Sequence, residues 1–248
     1  SVSGSTLYND DVKSELIKSW EAGVEVRFFN NRLGLDFAWY KSNATRQLLN
    51  LPMNPLSGYS NMKINAGDIQ NQGIEIMLNA TPIQTKEFTW DSQLNFSMNE
   101  NKIIELADGV KQYNLGGYDN LNIYAQAGGN YGEIWGTTFI RVKEGQYAGK
   151  LLLNASGLPQ GNSEKTKIGD QQADCLLGWT NTFSYKNFTL SFLIDARIGG
   201  EIFSGSNRLL QANGVAACTV VDGDRKPFVV DGVIANEDGS YSPSTIEV

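Results

Sequence analysis

Apolar residues occupy alternate positions from Trp20 to Phe28 (Trp20, Ala22, Val24, Val26, Phe28) and then change parity, to Leu33, Leu35, Phe37 and Trp39. Alternation with period two marks a strand with one apolar and one polar face. A two-residue loop at Asn30-Asn31 accounts for the switch. It sets Val24 opposite Phe37, Val26 opposite Leu35 and Phe28 opposite Leu33, so the two strands keep one shared apolar face. Asparagine tolerates the positive φ that such a turn requires. The pattern predicts a β-hairpin.

Two more hairpins follow by the same reasoning. Ile74, Ile76, Leu78 and Ala80 alternate with Glu75, Met77, Asn79 and Thr81, and Phe88, Trp90, Leu94, Phe96 and Met98 after "PIQTKE" alternate with Thr89, Asp91, Gln93, Asn95 and Ser97. Both runs are even, which predicts an odd-numbered connection of about three or five residues. Farther on, Trp179, Phe183 and Tyr185 lead through Lys186-Asn187 into Phe188, Leu190, Phe192, Ile194, Ala196 and Ile198. A two-residue loop pairs Phe183 with Leu190 and Trp179 with Ile194, leaving Asn181 inside the apolar face and Leu193 on the polar one. Between hairpins the connections are long: residues 42–66, then residues 100–172, which are rich in Gly, Asn and Tyr, then everything after Gly199. "DDVKSELIKSW" and "NRLLQANGVAA" are the stretches expected to form a turn or two of helix, and no domain boundary stands out.

Composition narrows the chemistry. The 248 residues hold 26 glycines against 6 prolines, which suits strands and turns. A net charge of -7 with no Lys/Arg cluster argues against nucleic acid as a partner. Histidine is absent, which removes Ser-His-Asp and Cys-His catalysis and His-bearing zinc sites. Cys175 and Cys218 have no CxxC spacing and are expected to be inert thiols rather than a disulfide. No carboxylate pair is singled out by a motif among 27 acidic residues, so no catalytic, cofactor or metal residue is assigned. "VDGDRKPFVVDG" lacks the closing glutamate of an EF-hand loop and is expected to be a solvated turn.

Strands with one apolar face fit two architectures. In a β-sandwich the face packs on a second sheet; in a membrane barrel it meets lipid. Alternation sustained over about nine to twelve residues suits a strand that crosses a hydrocarbon layer at a tilt. Trp20, Trp39 and Trp179 lie far from the turns, and Phe28, Phe88, Trp90, Tyr185 and Phe188 beside them, as two aromatic girdles would. Tight turns alternating with long loops match the asymmetry of outer-membrane barrels. The opposite face carries Glu21, Glu25, Arg27, Asp36, Glu75, Asp91, Gln93, Asn95, Asp195 and Arg197, which line either a watered lumen or a solvated sheet.

"KSWEAGVEVRFFNNRLGLDFAWYKSN", "INAGDIQNQGIEIMLNATPIQTKEFTWDSQLNFSMNENKIIEL" and "IGDQQADCLLGWTNTFSYKNFTLSF" followed by "GGEIF" resemble the barrel of SusC/RagA-type TonB-dependent outer-membrane transporters. The resemblance runs in the family's order over roughly residues 15–205. It departs at Ala173-Asp174-Cys175, where the family usually has a Pro-Asp or similar pair. The resemblance implies an all-β fold: an antiparallel meander of transmembrane hairpins, part of a large outer-membrane β-barrel of about 22 strands with long extracellular loops. It also implies a SusD-like surface lipoprotein as lid, coupling to TonB through an N-terminal plug, outer-membrane lipid around the wall, and oligosaccharides or peptides as cargo. Nothing in residues 1–248 matches the plug or a terminal aromatic strand, so the expectation is a partial barrel from the C-terminal half. Within the long loop, Tyr118, Tyr124, Tyr131 and Trp135 are candidate contacts for substrate or lid, because aromatics join an apolar body to a hydrogen-bonding tip. The same rings can instead pack the loop against itself. The alternative reading of the whole chain is a secreted, soluble β-sandwich that binds glycans, with Trp20, Val24, Val26, Leu35 and Phe37 buried.

Overall fold

The computed structural model describes residues 6–8, 12–52, 55–107, 110–220 and 223–248. Along the chain come β1 (Thr6–Tyr8), β2 (Leu16–Phe28), β3 (Leu33–Pro52), β4 (Asn61–Gln84) and β5 (Phe88–Glu105). Five short strands follow: β6 (Gln112–Tyr118), β7 (Leu121–Gln126), β8 (Glu133–Phe139), β9 (Leu151–Leu153) and β10 (Gly161–Asp170). Then come β11 (Cys175–Tyr185), β12 (Phe188–Ile198), helix α1 (Gly205–Ala212), β13 (Gly232–Ala235) and β14 (Tyr241–Pro243).

The six long strands form one antiparallel meander in the order β12-β11-β5-β4-β3-β2, with β1 added in parallel to β4. Its registers are the ones the parity argument requires: Val24 opposite Phe37, Phe28 opposite Leu33, Phe183 opposite Leu190 and Trp179 opposite Ile194. Asn30 and Asn31 have φ of 55° and 68°, and the Arg32 amide donates to the Phe29 carbonyl at 3.2 Å. Positive φ at both central residues is what a hairpin of this twist needs. The β4–β5 hairpin closes across Lys86-Glu87, where the Thr85 amide donates to the Phe88 carbonyl at 2.7 Å, so the parity of that pair is reconciled by a β-bulge between Ala80 and Ile83 rather than by the turn. The bulge lies at Pro82, which has no amide to give the ladder, and it returns Ile83 to the apolar face opposite Trp90.

The apolar face is continuous across all six strands and uncovered. Trp20 is 74% exposed, Val24 52%, Phe192 42% and Phe188 79%. Ile103, at the far end of β5, is the sole fully buried hydrophobic residue of these strands among the described residues. The soluble-sandwich expectation, which needed Val24 and its neighbours buried, is therefore corrected. Trp20 to Phe28 covers roughly 27 Å along the strand, or about 20 Å across a tilted layer, close to the apolar band of such barrels. One row beyond Trp39 lies the border of the band, where Trp20 is followed on the same face by Lys41, Gln72 and Glu100 abreast, with Gln72 donating to Glu100 at 2.7 Å.

Strand length exceeds the sequence expectation in β3, β4 and β5, because these strands run on past the apolar band. β2 begins at Leu16 opposite Thr45, and β5 ends at Glu105 opposite Asp68. Beyond that level β3 and β4 continue as a ribbon, and at its base Arg46 and Gly67 both take positive φ, 60° and 84°. Helix was expected from Asp10 to Trp20; Asp10 and Asp11 lie outside the described residues, and Leu16–Trp20 are strand because Thr45–Lys41 offer them a pairing edge. The second expected helix forms as α1, its first turn capped by the Ser204 hydroxyl accepting from the Asn207 amide at 3.2 Å.

No boundary is evident in the sequence, yet the chain divides into two compact units. The first holds residues 1–115, 124–133 and 170–201 and contains the long sheet with a small core of Ile103, Leu106 and Ala125. The second holds residues 116–123, 134–169 and 202–248. In it β9 pairs in parallel with β13, and Leu153 and Val233 are buried. Gly232 is needed at that pairing, since a β-carbon there would sit 2.7 Å from Leu153 Cγ.

Candidate functional site

Two places on the first unit gather polar side chains on the face opposite the apolar one. The lower is a recess of about 550 Å³ whose lining includes Asp36, Glu75, Met77, Asn95, Gly178 and Asp195. Register explains the grouping: Asp36, Met77, Asn95, Gly178 and Asp195 form one row across β3, β4, β5, β11 and β12. A residue without a side chain in the middle of that row keeps the recess open. Below it, Arg27 lies across Gly34 and pairs with Glu25, while Gln93 donates to Met77 Sδ at 3.2 Å. Asp91 accepts from the Thr81 hydroxyl at 2.7 Å. The face is acidic and its side chains are held by neighbours in the same and adjacent rows, which suits the wall of a watered passage.

The upper recess, about 400 Å³, is lined by Asn99, Asn101, Tyr131, Gln171, Gln172 and Arg197, among others. Gln172 ties it together: its Oε1 accepts from the Asn101 amide at 3.2 Å, and its Nε2 donates to the Tyr131 carbonyl at 3.0 Å. Arg197 donates to the Gln171 carbonyl at 2.8 Å, and Asn101 donates to Asn71 Oδ1 at 2.8 Å. Tyr40 reaches Asn99 at 3.0 Å because it packs over Gly73, where a β-carbon would meet the Tyr40 hydroxyl at 2.6 Å. Such a ring of amides with one guanidinium and one phenol can hydrogen-bond hydroxyls or peptide groups equally well. Gln171, Gln172, Asn99 and Asn101 were missed in the sequence; only the two glutamines carry a signal, the polar run "DQQAD" that leads into Ala173-Asp174-Cys175, where the chain departs from the usual motif.

The four aromatic candidates divide between the two units. Tyr124 and Tyr131 belong to the first unit, Tyr118 and Trp135 to the second. Tyr131 is 44% exposed and lines the upper recess. Tyr118 is half exposed, with its ring against Gly205 at the start of α1. Cys175 and Cys218 are both free thiols. Among the described residues no group of three or more Cys, Asp and Glu is placed to hold a metal ion. In "VDGDRKPFVVDG", Val221 and Asp222 lie outside the described residues, and the Asp231 carboxylate pairs with Lys150 at 2.7 Å. In the second unit the Ser240 hydroxyl and amide, donating at 2.6 and 2.9 Å, hold the Asp238 carboxyl below its ordinary pKa.

Comparison with known proteins agrees with this geometry. The family model described as TonB dependent receptor-like, beta-barrel, matches residues 1–199. TonB-dependent receptor P3 of Formosa agariphila is 29% identical over 238 residues, covering 86% of this chain and 23% of that protein. TonB-dependent receptor SusC of Bacteroides thetaiotaomicron is 28% identical over 225 residues, covering 82% of this chain and 21% of SusC. Among solved structures, the RagAB peptide importer in its "open-open" state superposes with a TM-score of 0.62 at 21% identity, over 77% of this chain and 21% of that one. At that identity the likeness concerns the fold alone. The chain spans less than a quarter of the length of these relatives.

Proposed function

Since the chain belongs to the TonB-dependent receptor β-barrel family, we propose that it builds part of the wall and external loops of an outer-membrane importer of oligosaccharides or peptides. One observation carries the reading: six paired strands present one continuous apolar face with Trp20, Val24, Trp39, Met98, Trp179 and Phe192 exposed on it, while their other face gathers Asp36, Glu75, Asp195 and Arg197 beside open recesses. Hydrocarbon tolerates the first face, and water with a polar solute suits the second. No catalytic residue enters this reading. The family is one of transporters, and movement of the cargo falls to a plug coupled to TonB.

In this reading the long connections lie outside the cell, where a SusD-like lipoprotein closes over the cargo. Tyr131 and, elsewhere in the same connection, Tyr118, Tyr124 and Trp135 are the candidate aromatic contacts to substrate or lid. Tyr131 has the better surroundings, because Asn99, Asn101 and Gln172 stand beside it with hydrogen-bonding groups. Full-length protein is expected in the membrane fraction until detergent extracts it. Cells carrying it should take up labelled oligosaccharides or peptides only while the energy coupler is intact. A folded monomer in the detergent-free soluble fraction would overturn the proposal.

A further inference from the structure

The second and third hairpin turns lie side by side on the sheet. The Lys186 amide donates to the Glu87 carbonyl at 2.9 Å, and Tyr185 stands opposite Phe88. The two turns carry three charged residues: Lys86 and Glu87 in one, and Lys186 in the other. Lys186 pairs with Glu87 at 3.6 Å and lies over the Tyr185 ring at 5.3 Å. Lys86 has no ion-pair partner among the described residues. The junction therefore carries one positive charge in excess, in a chain whose net charge is -7. The first hairpin differs, because Arg32 already donates to the Thr81 and Pro82 carbonyls at 2.9 and 2.8 Å.

Directly beside this junction, on the apolar face, runs an aromatic ledge. Phe88 and Phe183 lie 6.4 Å apart, Phe183 stacks on Trp90 at 5.6 Å, and Phe183 stacks on Phe192 at 6.1 Å. The rings span three strands, and Phe188 and Leu190 beside them are 79% and 64% exposed. A cation at the rim of a flat apolar shelf matches a molecule with one anionic head and long hydrocarbon tails. We propose that the junction of the Lys86-Glu87 and Lys186-Asn187 turns binds a single anionic phospholipid, its phosphate between the two lysines and its acyl chains along the Phe88–Phe183–Trp90–Phe192 ledge. The site rests on the membrane reading above, with these turns on the phospholipid side of the bilayer. Charge complementarity selects the occupant: one excess positive charge for one phosphodiester, with aromatic rings at the depth where the tails begin.

The test uses the full-length transporter in phosphatidylcholine nanodiscs with a graded fraction of phosphatidylglycerol, reading retained lipid by native mass spectrometry. Wild type should keep phosphatidylglycerol in preference to phosphatidylcholine. Lys86→Gln should lower that preference about fivefold, and adding Lys186→Asn, which tolerates the φ of 52° there, about fivefold again. Unchanged preference in both variants overturns the site. Should the double variant fail to fold, Lys86→Gln alone, in an exposed turn, decides. Quenching of the band tryptophans by phosphatidylcholine with brominated tails separates the two readings. Without quenching the membrane reading itself falls; with quenching but no lysine effect, only the lipid site does.

Discussion

Asn181 shows how much a single residue can depend on its neighbours. It interrupts the apolar face in the sequence, yet it is 1% exposed, and its Oδ1 accepts the Trp90 indole N–H at 3.0 Å. Next to it Trp179 donates its indole N–H to Ser92 at 2.9 Å. Where hydrocarbon replaces water, an indole donor must find its acceptor within the protein. Asn181→Leu should therefore destabilise the barrel by about 1–3 kcal/mol, because it orphans the Trp90 N–H. Adding Trp90→Phe removes that donor, so the double variant should cost clearly less than the sum of the two single ones. Thermal unfolding of the four proteins in detergent measures the coupling; additive losses would mean that the hydrogen bond contributes nothing. Alternation could place Asn181 on a face, but only its position beneath an aromatic stack supplied the partner.

The β3–β4 ribbon is the element whose shape the sequence concealed. Its two strands leave the sheet where Arg46 and Gly67 face each other with positive φ, and neither joins the ladder between Thr45–Asp68 and Gln47–Ala66. Gly67 also lies against β5, where a β-carbon would sit 2.9 Å from the Glu105 carbonyl oxygen. Gly58 shares the φ of 84° but has open space around it. Gly67→Ala should therefore loosen the ribbon by about 1–3 kcal/mol and Gly58→Ala by less. Limited proteolysis within residues 47–66 of the folded protein reads the difference; equal cleavage of the two variants would mean that Gly67 has no special role. The bulge at Pro82 was hidden for a related reason. An odd-numbered turn and a one-residue bulge repair parity equally well, and only the neighbouring strand decides between them.

At the scale of the molecule, the stagger of the turns measures strand tilt. The row that closes the first hairpin, Phe28 and Leu33, continues through Ala80, Ser92, Asn181 and Phe192. The third hairpin closes four residues farther on, at Tyr185 and Phe188. If both turns meet one membrane border, that offset of about 14 Å over roughly 19 Å of sheet gives a tilt near 35°, within the range of outer-membrane barrels. The sheet path ends on β2 and β12, each with one unpaired edge, and such edges are costly in lipid and adhesive in water. Residues 1–248 expressed alone should therefore aggregate, whereas the full-length protein should run as a discrete species in detergent size-exclusion chromatography. A monodisperse, detergent-free fragment would contradict the open-edged meander. The sequence by itself determined the three hairpins, the registers of the first and third, and the sidedness of their faces, since period-two patterning and turn chemistry act between residues close along the chain. Tertiary structure alone decided that β5 pairs with β11 across the long intervening segment, that Asp36 and Asp195 share a row, and that Gln172 and Tyr131 meet. Those contacts join residues far apart in the chain, and no local pattern encodes which strand will become a neighbour.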